Sequence, residues 1–194
     1  MEKALFLDRD GTIIIDKGVN LNPNKIIFIE GLFQLLETAK KRSFKIILVT
    51  NQTVVSKGLK TYKEMKILND IIFKRINKKL GYDVFDKMYF CPFHPNANIQ
   101  KYRFDSYFRK PQPGMLFKAQ KILNLDLKNS LMVGDRVSDV VAGNLAGCKT
   151  IMLKGKHNKS KIIESSLKIQ KETTKPNYRV NKLVDIIPIM DGFQ

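Results

Sequence analysis

The sequence predicts an α/β fold in which a parallel β-sheet carries helices on both faces. Short continuous apolar runs, typical of strands buried on both faces, alternate at least four times with segments whose apolar residues have helical spacing. Such alternation is the usual signature of a parallel sheet with crossover helices. The chain of 194 residues is long enough for a sizeable core, and we expect one domain over residues 1–194.

The predicted elements follow one another in a regular order along the chain. Thr61 and Glu64 form a capping-box pattern at the start of one helix, and Gly81 can end that helix. Strands are expected at 3–7, 45–50, 87–91, 130–134 and 149–153. Helices are expected around Leu32, Leu35, Leu36 and Ala39, after Thr61, from Pro113 to Asn124 and from Ser138 to Ala146.

Three segments lie outside this pattern. Residues 92–108 are predicted to form a long irregular loop near the active site, and loops of this length are often functional. Residues 155–175 are polar and charged, and we expect them to be exposed. Residues 177–180 are predicted as a last edge strand, followed by a short helix through Ile189.

Composition narrows the classes of function. The net charge of +17 is spread over the chain, which favours a lysine-rich solvated surface over a nucleic-acid site. No apolar run reaches the roughly 20 residues of a membrane span, and no export signal is recognisable, so we expect a cytoplasmic protein without a membrane partner. A monomer is the default expectation for its oligomeric state. The two cysteines, Cys91 and Cys148, make no disulfide framework.

Polar and charged side chains follow the predicted strands at their carboxyl ends, where open α/β sheets bind ligands. Any one of them alone is compatible with a turn or a helix cap. Their joint occurrence in this order points instead to a chemical site. The set comprises Asp8 and Asp10 after the first strand, Thr50 and Asn51 at the second, Asp135 and Asp139 after the fourth, and Lys110 before the fourth helix.

These residue types suit phosphoryl transfer. A carboxylate such as Asp8 can attack phosphorus and form an aspartyl-phosphate, and Asp10 is close enough in sequence to serve as general acid and base. Because phosphate and carboxylate repel each other, a hard cation must bridge them, and Mg²⁺ held by Asp8 and Asp135 fits that need. Lys110 and the Thr50 hydroxyl can stabilise charge on the transferring oxygens.

The motifs DRDGT, VTNQ, RKP and GDRVSD resemble, in order, the four motifs of the haloacid dehalogenase superfamily of phosphohydrolases. Within it, the segment RKPQPGM, the Asp-x-Gly at Asp16 to Gly18 and the layout without a cap are most similar to the family of D-glycero-D-manno-heptose 1,7-bisphosphate phosphatases, related to the histidinol phosphatases. The resemblance covers residues 4 to 153. It implies a Rossmann-like core without a large cap and removal of the 7-phosphate from a sugar bisphosphate, in a pathway of lipopolysaccharide or capsule precursors.

The resemblance also implies residue roles. Asp8 would be the nucleophile, Asp10 the acid/base and, through its main-chain carbonyl, a metal ligand, and Asp135 the remaining metal ligand. Thr50 and Lys110 would stabilise the phosphoryl group, and Asp139 would support Asp135 or Lys110. The expected substrate contacts are Asp16, Val19, Asn51, Gln52, Thr53, Arg109 and Arg136.

The long loop departs from the family pattern. The family carries a structural zinc bound by Cys-x-His and Cys-x-Cys pairs, whereas this chain keeps Cys91 and has Phe93, Ser106 and Phe108 at the other three positions, with His94 one position away. Because closed zinc sites have four ligands, we expect no zinc here. Aromatic packing would then hold the loop, with Phe108 as the expected anchor.

Two further departures, Ile14 and Val54, are expected to border the substrate. Because these two changes concern the substrate more than the reaction, a histidinol-phosphate phosphatase and a nucleic-acid 3′-phosphatase are alternative enzymes. A non-catalytic phosphate-binding protein is the alternative of another class.

Overall fold

The computed structural model describes residues 1–16, 18, 22–155 and 170–193. Its centre is a six-stranded sheet in the order β3-β2-β1-β4-β5-β6, with every neighbouring pair parallel. The predicted parallel α/β architecture is therefore confirmed. The strands are β1 (Ala4–Leu7), β2 (Lys45–Asn51), β3 (Lys87–Cys91), β4 (Leu131–Gly134), β5 (Lys149–Leu153) and β6 (Tyr178–Val180).

Helices connect the strands where their apolar spacing predicts them. Thr61 and Glu64 form the predicted capping box, and Gly81 ends that helix in the left-handed conformation at φ 83°. A four-residue helix directly after β2 had no recognisable signal in the sequence. The helices are α1 (Leu32–Lys41), α2 (Thr53–Ser56), α3 (Tyr62–Leu80), α4 (Gly114–Leu123) and α5 (Val137–Ala146).

The sheet buries apolar side chains on both faces, as β1 shows. Leu5 and Leu7 join the cluster that packs against α1 and α3, whereas Ala4 and Phe6 join the cluster that packs against α4 and α5. All four side chains are fully buried. Burial of one such large apolar side chain is worth about 1.5–3 kcal/mol, so this layering fixes where the carboxyl end of β1 points. Within the described residues, no helix is long and apolar enough to span a membrane.

The C-terminal part differs in detail from the prediction. The edge strand is present, and two short 3-10 helices, Leu183–Ile186 and Ile189–Gly192, lie where one short helix was expected through Ile189. Pro188 stands between them and has no N–H to continue a helix. Of the segment predicted to be exposed, residues 156–169 lie outside the described residues, and Lys171–Thr174 form another 3-10 turn with no buried residue.

Candidate active site

Lys110 lies at the centre of a buried charge cluster at the carboxyl ends of β1 and β4. Its Nζ is 2.7 Å from Asp8 Oδ1 and 2.5 Å from Asp139 Oδ1, and it donates to the Val49 carbonyl at 2.8 Å. The lysine side chain is only 3% exposed. Burial alone would lower the pKa of Lys110, but the Asp139 and Asp8 carboxylates outweigh burial and raise it. The ammonium therefore stays charged beside the carboxylate that we expect to attack phosphorus.

Asn51 holds the backbone of Lys110 in place. Its Nδ2 donates to the Lys110 carbonyl at 2.8 Å, and its Oδ1 accepts from the Lys110 N–H at 3.0 Å. This reciprocal pair ties the end of β2 to the lysine. Asn51 was expected to contact substrate, and in this structure both ends of its amide bond to Lys110.

Asp135 follows β4 and is 1% exposed. Burial, reinforced by the charges of Asp8 and Asp139, raises the pKa of Asp135 to about 7. Gly11 passes directly over this carboxylate at φ +84°, and a Cβ at Gly11 would lie 2.3 Å from Asp135 Oδ2. Only glycine fits this turn without displacing Asp135.

The carboxylates meet the requirements of a hard divalent cation. Asp8, Asp135 and Asp139 each offer an oxygen, and these oxygens lie within 4.8 Å of one another. Oxygen donors of this kind suit Mg²⁺. Asp139 is already engaged, because it also accepts a hydrogen bond from the Arg136 N–H at 3.0 Å at the start of α5. The donor set thus fits a metal held mainly by the other two carboxylates.

Asp10 and Thr50 are joined by Gln52. The Gln52 side-chain amide donates to Asp10 Oδ2 at 2.9 Å and to Thr50 Oγ1 at 2.8 Å. Gln52 and Thr50 are buried, whereas the Asp10 side chain remains 21% exposed. Gln52 was expected to contact substrate, and its described hydrogen bonds run to protein groups around Asp10.

Arg9 was not assigned a role from the sequence, although it lies between the two aspartates. Its guanidinium donates to both carboxylate oxygens of Asp10, at 3.0 and 2.8 Å. The available signal was a basic residue enclosed by two acidic ones directly after a buried strand. That pattern gave no indication of which aspartate the arginine would bind.

The remaining expected substrate contacts line the same rim. Arg136 Nη2 lies 3.2 Å from Asp16 Oδ2, and its Nε lies 3.9 Å from Asp135 Oδ1. Asp16 also accepts from the Gly18 N–H at 2.8 Å. Thr53 begins α2 and is half-buried, and Val19 lies outside the described residues.

Arg109 is anchored by the long loop. Its Nη1 donates to the Phe93 carbonyl at 3.1 Å, and its N–H donates to the Ser106 carbonyl at 2.8 Å. Burial lowers the pKa of Arg109 from its usual value. Phe93 makes edge contacts with Tyr102 and Phe104, at centroid distances of 5.9 and 6.1 Å.

The expectation that Phe108 is the buried anchor of this loop is wrong. Phe108 is 42% exposed and lies under Lys118, whose Nζ is 5.6 Å from the ring centroid. Ser106, at one of the family's zinc-ligand positions, is buried instead, and its Oγ accepts from the Phe108 N–H at 3.2 Å. Ser106 is thus the inward-facing residue of this segment, and the Phe108 ring is partly exposed.

Ile14 also differs from its expected place. Its side chain is fully buried in the cluster that contains Leu5 and Leu7, so it supports the core and does not face the site.

Comparisons with known proteins bear on the family to which this chain belongs. A model of the HAD-hydrolase-like family matches residues 107–186. The chain is 36% identical over 190 residues to D-glycero-alpha-D-manno-heptose-1,7-bisphosphate 7-phosphatase of Burkholderia mallei, covering 98% of this chain and 94% of the relative. It is 37% identical over 155 residues to D-glycero-beta-D-manno-heptose-1,7-bisphosphate 7-phosphatase of Photorhabdus laumondii, covering 79% of this chain and 81% of the relative.

Solved structures show the same fold. A protein of Mesorhizobium loti whose name places it among HAD-like phosphatases superimposes with a TM-score of 0.81 at 28% identity, covering 99% of this chain and 87% of its own. The D,D-heptose 1,7-bisphosphate phosphatase of B. bronchiseptica, complexed with magnesium and phosphate, superimposes with a TM-score of 0.77 at 21% identity, covering 99% of both chains.

The sheet order, the lysine among carboxylates and these matches define a phosphatase of the haloacid dehalogenase class. Within that class, the chain belongs to the family of the heptose-1,7-bisphosphate 7-phosphatases.

Proposed function

We propose that this protein removes the 7-phosphate from D-glycero-D-manno-heptose 1,7-bisphosphate through an aspartyl-phosphate on Asp8. The contact of Lys110 with Asp8 at 2.7 Å, inside a buried carboxylate cluster, is the observation that supports the reaction class. The names of the relatives support the substrate, since one of them aligns with 98% of this chain.

The protein side chains divide the chemistry between them. Asp8 attacks phosphorus, and Lys110 and Thr50 stabilise the charge that develops on the transferring oxygens. Asp10 gives a proton to the departing sugar oxygen as the phosphorus–oxygen bond breaks. Asp10 then takes a proton from the water that attacks the aspartyl-phosphate, which releases inorganic phosphate and restores Asp8.

Asp8, Asp135 and the Asp10 carbonyl are the proposed ligands of Mg²⁺. When bound, Mg²⁺ would offset the repulsion between the phosphate and the carboxylates. Asp139 would act indirectly, because its short contact with Lys110 helps to hold the ammonium.

Substrate recognition is assigned to the rim of the site. Asp16, Val19, Thr53, Arg109 and Arg136 are the proposed direct contacts. Asn51 and Gln52 would contribute mainly by holding Lys110 and Asp10, which their hydrogen bonds favour.

Phosphate release from four compounds under the same conditions tests this proposal. The α and β anomers of the heptose bisphosphate are compared with histidinol phosphate and a 3′-phosphorylated oligonucleotide, with Asp8→Asn as the control for contaminating phosphatase. We expect the highest kcat/KM for one of the two heptose anomers. A higher kcat/KM for histidinol phosphate or the oligonucleotide would replace the proposed substrate, and no turnover of any compound would favour a binding protein.

Three further expectations complete the proposal. Residues 1–194 form one domain, the protein is a cytoplasmic monomer, and the loop 92–108 holds no zinc. Sedimentation measures the oligomeric state, and metal analysis of the purified protein measures zinc. Stoichiometric zinc would contradict the ligand count at Cys91 and His94, because two ligands do not close a tetrahedral site.

A further inference from the structure

Arg9 makes a two-point contact with the proposed acid/base. Nε donates to Asp10 Oδ1 at 3.0 Å, and Nη2 donates to Asp10 Oδ2 at 2.8 Å. A planar guanidinium that binds both oxygens fixes the plane of the carboxylate as well as its position. A single hydrogen bond or a lysine at this place would leave the carboxylate free to rotate.

The guanidinium is itself held from the side away from Asp10. Nη1 donates to Asn69 Oδ1 at 2.7 Å and lies 3.1 Å from Met65 Sδ, and both of these residues are buried on α3. Nη2 also donates to Gln52 Oε1 at 2.8 Å. Arg9 is thus bound to β2's carboxyl end and to α3, two elements that the core packing already fixes.

The solvent exposure of the two side chains indicates different roles for Arg9 and Asp10. The Arg9 side chain is 4% exposed, whereas the Asp10 side chain is 21% exposed. Asp10 can therefore be reached from the site, and Arg9 lies behind it. This arrangement distinguishes Arg9 from Arg136, which is 40% exposed on the rim.

We propose that Arg9 is the positioning residue for the acid/base Asp10. This inference rests on the proposed function, because it assigns Asp10 a proton-transfer role. Arg9 holds the carboxylate in one orientation, and Gln52 extends the same support to Thr50. Preorganisation of this kind matters because proton transfer requires hydrogen-bond distance to the reacting oxygen.

A double-mutant cycle separates positioning from structural support. The turnover of phenyl phosphate is measured for Arg9→Met in the wild-type background and in the Asp10→Asn background, with Asp8→Asn as the blank. If Arg9 acts through Asp10, its substitution lowers kcat about 10–100-fold in the first background, because a small misplacement of a reacting group can cost up to about 10²-fold. In the second background the loss falls below about threefold, because the group being positioned is already lost.

Arg42→Met is the matched control for removal of an arginine. Arg42 pairs with Asp191 at 2.6 Å near the start of β2, at the opposite end of the sheet from Asp8. We expect its kcat to stay within about twofold of the parent in both backgrounds. Thermal unfolding is measured for every variant.

Arg9→Lys keeps the cycle informative if Arg9→Met does not fold. It retains a positive charge in the buried site, but an ammonium cannot make the paired bonds to Asp10. Equal losses in the two backgrounds, for whichever variant folds, would overturn the positioning role, as would unchanged kcat in both. Phenyl phosphate makes the result independent of the heptose assignment, and a wild-type protein that hydrolyses no phosphomonoester would instead overturn the proposed function.

Discussion

Lys110→Met tests how much the buried lysine contributes to folding stability and to turnover. The substitution removes the ammonium that contacts Asp8 at 2.7 Å and Asp139 at 2.5 Å, and leaves two nearly inaccessible carboxylates without that cation. Loss of one partner from a buried ion pair costs about 3–5 kcal/mol of folding free energy. Loss of a donor to the transferring oxygens typically lowers kcat by about 10²–10³-fold.

Lys40→Met is the matched control. Lys40 lies 2.7 Å from Asp86, which equals the distance between Lys110 and Asp8, but the side chains of Lys40 and Asp86 are 27% and 19% exposed. Partly exposed pairs of this kind contribute at most about 1 kcal/mol. Burial, not distance, should therefore set the difference between the two variants.

Urea unfolding of the Mg²⁺-free proteins measures the folding free energy that each of the two variants loses. The pH dependence of this loss has a definite sign for Lys110→Met. Burial raises the pKa of Asp139 from 3.8 to about 6, so the folded protein binds this proton more tightly than the unfolded chain. Stability from this proton is present at low pH and is lost as pH rises through about 6. Because the Lys110 ammonium lowers the pKa of Asp139, Lys110→Met lets burial raise that pKa further, and the variant gains more stability from the proton than the parent does. The cost of Lys110→Met should therefore be smaller at pH near 5 than near 8. Equal costs for Lys110→Met and Lys40→Met near pH 8 would refute the account of a buried, charge-balanced cluster.

Three further predictions concern the nucleophile, the metal and the loop. Asp8→Asn should abolish turnover with the fold intact by circular dichroism, because an amide cannot attack phosphorus; turnover above the level of a mock preparation would contradict this role. Since burial and neighbouring carboxylates raise the pKa of Asp135 to about 7, Mg²⁺ must displace a proton below that pH. The Mg²⁺ affinity, read from the rise in melting temperature, should fall about tenfold per pH unit below 7 and level off above it; equal affinities at pH 6 and 8 would count against Asp135 as a ligand. Phe93→Ala keeps the main-chain carbonyl that accepts from Arg109 but removes the ring that packs against Tyr102 and Phe104, so it should lower kcat about tenfold by letting that carbonyl move. Phe108→Ala removes an exposed ring and should change kcat little, and a larger loss for Phe108→Ala than for Phe93→Ala would contradict this account of the loop.

The sequence predicts the fold well because its signals are local and repeated. Continuous apolar runs are read directly as buried strands, and the Thr61–Glu64 box and Gly81 mark the two ends of α3. The placement of polar residues directly after the strands then indicates the edge of the sheet at which a ligand would bind. Accordingly, the site rim could be located before any contact was known.

The partners within the site are less predictable because they depend on rotamers and distances across the fold. Asn51 and Lys110 are 59 positions apart, and nothing local indicates that their amides pair. Arg9 binds the aspartate next to it, yet its orientation is set by Asn69, 60 residues away on α3. The apolar character of Phe108 likewise predicts burial, whereas the structure buries Ser106 and leaves the Phe108 ring 42% exposed.

The central claim is that one particular phosphate is removed from one bisphosphate. Phosphorus NMR of D-glycero-D-manno-heptose 1,7-bisphosphate, incubated with the Mg²⁺-loaded protein and in parallel with Asp8→Asn, follows the two phosphates separately. The account predicts that the 7-phosphate signal is replaced by inorganic phosphate while the 1-phosphate signal persists, and that Asp8→Asn changes neither. Loss of the 1-phosphate first, or retention of both signals for both anomers by the folded wild-type protein, would contradict it.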